Sequence, residues 1–102
     1  MTSESVLKNI IRELVQTGAY KDEQSALQAM AIEQVLKKIR NYRRTIKRLQ
    51  RKYKVDDLKE FTCQIKNQAN ILQEDDWMEW KAAVEMLEGW EKTLCELTKS
   101  EL

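Results

Sequence analysis

IEQVLKKIRNYRRTIKRLQRKY, residues 32–53, carries two helical patterns at once. Ile32, Val35, Ile39, Tyr42, Ile46, Leu49 and Tyr53 step by three and four, the spacing of a heptad seam on one helical face. No glycine or proline interrupts the stretch, and Asp22 is a natural N-cap, so the spacing predicts one helix over 22–54. At 1.5 Å per residue such a rod is roughly 45 Å long. A compact chain of about a hundred residues has a radius of gyration near 13 Å. The rod must therefore protrude or be covered by another chain. The fold expected is all-α and elongated, with four helices, pairing as a dimer through Ile32, Val35, Ile39, Tyr42, Ile46 and Leu49.

The second pattern is charge. Residues 37–54 hold ten lysines and arginines and no acid, although the whole chain carries only +1; residues 1–36 sum to −2 and residues 55–102 to −7. Such asymmetry points to a charged partner or to pairing between the halves of the molecule. Lys37, Arg40, Arg43, Arg44, Lys47, Arg48 and Arg51 are the candidate contacts to a nucleic acid, whose phosphates bind cations without regard to sequence and with strong salt dependence. The competing reading sets the acids that follow residue 55 against this block, within the chain or across a subunit boundary.

Outward from the rod, Val6, Leu7, Ile10, Ile11, Leu14 and Val15 give a first helix its apolar face, with Gly18 just past its end. After the rod, Asp57 and Glu60 have capping-box spacing, and Leu58, Phe61, Ile65, Ala69 and Leu72 form the inner face of a third helix that should break near Gln73. Asp76 and Glu79 have the same spacing and open a fourth helix, on which Trp80, Ala83, Leu87, Trp90, Leu94 and Leu97 repeat the three-four step. The segments expected within this single domain are 1–21, 22–54, 55–73 and 74–102. Trp80 and Trp90 belong to the core stripe. Trp77 and Met78 lie off it, and with Glu79, Glu85 and Glu88 they are the candidate contacts to a protein partner.

Composition excludes several classes. There is no proline, no histidine and only two glycines in 102 residues. The two cysteines, Cys63 and Cys95, fall short of the four ligands of a structural zinc site and are expected to stay reduced. No metal, cofactor or catalytic residue is assigned, because no activated nucleophile or glycine-rich phosphate loop is present. Asp76-x-x-Glu79 and Glu85-x-x-Glu88 have the carboxylate spacing of all-helical magnesium-dependent nucleotide pyrophosphatases, but both pairs sit on one helix and cannot converge within a monomer. No apolar run reaches the length of a membrane span and no leader resembles a signal peptide, so a cytoplasmic protein with no membrane partner is expected.

Residues 14–30, LVQTGAYKDEQSALQAM, resemble the middle of ribbon–helix–helix antitoxins and repressors. In that family a first helix ends in L-V-x-[ST]-G-x-[YF], and a second begins S/D-x-x-[SE]-A-[LIV] after a short polar turn. Leu14, Val15, Gly18, Tyr20, Asp22, Ser25, Ala26 and Leu27 occupy those places here. Each has a physical role: the glycine closes the first helix, the ring fills the gap between helices, and Asp22 caps the second. The family reads DNA with a strand ahead of the first helix. Only Met1 to Ser5 stand there in this chain, neither alternating nor basic, so the resemblance rests on the hairpin alone.

The resemblance implies a small prokaryotic antitoxin-like protein. It would neutralise a cognate toxin through its acidic last helix and touch nucleic acid non-specifically through its basic one. The alternatives are a structural homo-oligomer with no nucleic-acid role and, remotely, the pyrophosphatase.

Overall fold

A computed structural model describes residues 2–99. It is all-helical, with α1 at Ser3–Gln16, α2 at Glu23–Tyr53, α3 at Leu58–Ile65 and α4 at Ile71–Lys99. There is no strand among the described residues, and Ser3 to Ser5 form the first turn of α1. The molecule extends 60 × 34 × 17 Å with a Cα radius of gyration of 19.5 Å, so it is long and flat.

Each helix begins and ends for a chemical reason. Thr2 caps α1, and Asp22 Oδ1 accepts the Ser25 amide at 2.7 Å to start α2. Gly18, at φ 80, closes α1 in a Schellman turn: its amide bonds to Val15 O, and the Ala19 amide bonds to Leu14 O at 3.0 Å. α2 stops at Lys54, which takes the left-handed conformation at φ 54 without being glycine. Asp57 caps α3 through the Glu60 amide at 2.8 Å, and Glu60 reaches back to the Asp56 amide at 3.0 Å.

α2 and α4 form the body of the molecule as an antiparallel pair. Gln28 Nε2 donates to Leu97 O at 2.7 Å at one end, and Lys52 meets Asp76 at 2.7 Å at the other. Val35, Ile39 and Leu49 are buried between them, with Ile32, Tyr42 and Ile46 half-buried. The residues expected to form a dimer seam thus lie on the side of α2 that packs against the chain's own last helix.

The break between α3 and α4 also differs from expectation. α3 ends at Ile65, Asn67 turns the chain at φ 70, and α4 starts at Ile71 rather than near Asp76. Asn70 and Gln73 make a reciprocal capping box, each side-chain oxygen accepting the other's amide at 2.8 and 3.0 Å. Leu72, placed on the inner face by the sequence pattern, is therefore on the outside and 72% exposed.

α3 plugs the open end of the α2–α4 pair. Its Phe61 is fully buried and stacks on Tyr53 of α2 at 4.1 Å between centroids and on Trp80 of α4 at 5.5 Å. Leu49 and Ile65 complete this cluster, with Ile46, Val55, Leu58, Ala69, Trp77 and Val84 packed around it. α1 packs on the first turns of α2, where Ile11 and Ala26 are buried. Phe61→Ala is expected to cost about 3–5 kcal/mol, read as a lower denaturation midpoint. A loss below about 1 kcal/mol would show that the ring stack does not hold the helices together.

Candidate functional site

The face of α2 turned away from the seam decides what the surface can bind. Lys37, Arg40, Arg44, Lys47 and Arg51 step by three and four, as the seam residues do, and every one is exposed. At 100° per residue their mean direction lies about 150° from that of the seam. They therefore form a straight cationic ridge along the outer side of the rod. Arg43 and Lys54 flank it, and Arg40, Arg43, Arg44 and Lys47 line a shallow depression along it.

Internal neutralisation reaches only one edge of the block. Among the described residues, Arg48 pairs with Glu79 and Lys52 with Asp76, both across to α4. Among the described residues, the other eight cations of residues 37–54 have no carboxylate within salt-bridge reach. Of the candidate nucleic-acid contacts, Lys37, Arg40, Arg43, Arg44, Lys47 and Arg51 lie open together, whereas Arg48 is engaged by Glu79. Arg48 and Lys52 stand one turn apart, as Asp76 and Glu79 do on α4, so the two pairs form side by side.

Asp76 is the most enclosed charged partner, its side chain 15% exposed. It accepts from Lys52 Nζ and from the Tyr53 hydroxyl. Lys52 first, then Tyr53, holds the Asp76 carboxyl below its ordinary range. Burial, followed by the Asp76 carboxylate, pushes the Tyr53 phenol up, and the hydrogen bond to Asp76 raises Lys52. These residues tie the C-terminal end of α2 to the start of α4 and so fix how the ridge is presented. The sequence pattern had assigned Asp76 to a cap; its actual partners are far away in the chain.

The candidate protein-contact residues are split. Trp77 and Met78 line an open apolar groove between α3 and α4 with Ile65 and Ala69, and Lys66 and Glu74 border it. Met78 is 63% exposed, while Trp77 is partly covered and donates its indole N–H to Thr62 Oγ1 at 2.8 Å. Glu79 is taken up by Arg48, and Glu85 and Glu88 lie farther along α4, outside the groove. Sequence reasoning missed the exposure of Ile71, 76%, and Leu72 in the first turn of α4; the capping-box spacing of Asn70 and Gln73 was the signal that could have placed them. Trp80 is core, as its stripe implies, whereas Trp90 is half-buried with its indole nitrogen enclosed and without an acceptor.

Cys63 and Cys95 are free and exposed. Among the described residues no group of three or more acids, cysteines or histidines gathers around a metal-sized site, and no helix is long and apolar enough to cross a membrane. Comparison with protein-family models, with curated proteins and with solved structures finds no match.

The Asp76 link predicts a pH dependence. A carboxylate with a lowered folded pKa contributes its stability fully above the unfolded value near pH 4, and loses it as pH falls through the folded value. The raised Lys52 and Tyr53 contribute fully below about pH 10 and lose their share as pH rises. Asp76→Asn should therefore be less stable than the parent at pH 7, with the gap closing toward pH 3 in denaturant titrations. A gap independent of pH would contradict the link.

Proposed function

We propose that this chain is a small binding protein whose α2 ridge takes the phosphodiester backbone of nucleic acid without reading its sequence. The observation that carries this reading is the row of exposed cations Lys37, Arg40, Arg44, Lys47 and Arg51, which make no ion pair among the described residues and stand on a helix braced from behind. Phosphate contacts by lysine and arginine give affinity that depends on salt and not on sequence. A second copy of the chain is the poorer counter-surface. On α4 the acids Glu74, Asp75, Glu85, Glu88, Glu91 and Glu96 are interleaved with Lys81, Lys92 and Lys99, so any ridge laid there would meet cations as well as acids.

A second reading, the antitoxin-like one, draws on the α3–α4 groove. Met78 is a large apolar side chain left exposed beside Trp77 in that groove, and Ile71 is exposed earlier on the same helix, a composition favoured where proteins meet. In this reading the groove holds a partner protein while the ridge holds nucleic acid. The hairpin resemblance over residues 14–30 supports it. A homodimer fits the same scheme through the N-terminal hairpin, where Val6, Leu7, Ile10 and Leu27 are each more than two-fifths exposed.

The ridge reading is tested with the triple variant Arg40→Glu/Arg44→Glu/Lys47→Glu, in side chains that make no ion pair among the described residues. Random-sequence nucleic acid at 50 mM salt is the probe, and Lys59→Glu/Lys92→Glu/Lys99→Glu, away from the ridge, is the control for the same change in net charge. At up to about 1 kcal/mol per exposed charge, the triple variant should bind on the order of a hundredfold more weakly. Equal weakening by the control would mean that overall charge, and not the ridge, drives binding.

A further inference from the structure

We infer that the ridge selects double-stranded over single-stranded nucleic acid, an inference that rests on the nucleic-acid reading just proposed. Three features of the site lead there. The first is rigidity. The ridge lies within a 31-residue helix, and α4 grips its other side through Arg48–Glu79, Lys52–Asp76 and the buried seam. Its five cations are about 5 Å apart and span roughly 21 Å. That span matches about six base-pair steps, over which a duplex offers a phosphate charge every 1.7 Å or so of axis. A duplex is already straight on this scale. A single strand must give up conformational freedom to lie along it.

The second feature is the absence of a stacking surface. Proteins that hold single strands combine a positive groove with aromatic rings on which the bases stack. None of the aromatic residues among the described residues stands on the ridge. Tyr42 and Tyr53 belong to the seam side of α2, Phe61 is sealed in the core, and the tryptophans are on α4. A single strand here would gain only its phosphate contacts.

The third is the counterion yield. Each neutralised phosphate on a B-form duplex releases more condensed counterion than one on a single strand, by about 0.9 to 0.7. Five ridge contacts therefore favour the duplex at low salt.

The test is fluorescence anisotropy with the full chain and four probes: a random 20-base-pair DNA duplex, its single strand, and the RNA duplex and strand of the same sequence, from 50 to 200 mM sodium chloride. The expected result is that a duplex of either sugar binds at least tenfold more tightly than its single strand at 50 mM. The DNA duplex should show a log–log salt slope near −4.5, which is roughly a 500-fold loss over that range for five contacts. Arg44→Gln/Lys47→Gln, with folding checked by circular dichroism, should reduce the slope by about 1.8. Single strands bound as tightly as duplexes, with the slope still reduced in the variant, would overturn the duplex preference and leave the nucleic-acid reading standing. An unchanged slope in the variant would remove the ridge as the binding element. No binding of any probe at 50 mM would overturn the proposed function itself.

Discussion

Phe61 in its stack between Tyr53 and Trp80 is the contact on which the rest depends. Two long helices joined by a connection this short would splay at the joined end unless something filled the gap between them. An eight-residue helix carrying one large ring does so. With that end closed, the seam side of α2 packs against α4, which buries Val35, Ile39 and Leu49 within the one chain. The consequence for function is directional. Because one side of α2 is committed to α4, the opposite side is held outward as a single, straight surface.

Electrostatics then divides the cations of α2. Arg48 and Lys52 meet Glu79 and Asp76 of α4, where they help register the pair. The ridge cations make no ion pair among the described residues. Exposed ion pairs contribute at most about 1 kcal/mol each, so the two cross-links steer packing more than they stabilise it. A block of ten positive charges packed into eighteen residues repels itself, and α2 tolerates this because its buried side and the aromatic cluster outweigh the repulsion. An anionic polymer along the ridge would relieve it.

Much of this architecture was legible in residues 14–60. The seam, the Asp22 and Asp57 caps and the glycine at position 18 are local signals, and each fixes structure within a turn or two of itself. The sequence pattern could not say which surface covers the seam, because a heptad stripe looks the same whether its mate is a second copy or the same chain's tail. The α3–α4 break was misplaced for a related reason. Glu74, Asp75 and Asp76 resemble a helix start, but Asn70 with Gln73 makes the stronger reciprocal cap, and Asp76 is drawn away by Lys52 and Tyr53. The ridge residues were visible as a charge run. Which of them remain unpaired depended on distances of two dozen residues or more along the chain.

The segregation of the two sides of α2 is tested most directly by lysine acetylation footprinting, with mass-spectrometric readout, in the presence and absence of a saturating nucleic-acid duplex at low salt. Lys37 and Lys47 should react freely in the unbound protein and become protected in the complex, while Lys59, Lys81 and Lys92 keep their reactivity and Lys52 is slow in both. Protection spread evenly over all lysines, or confined to those of α4, would contradict the account.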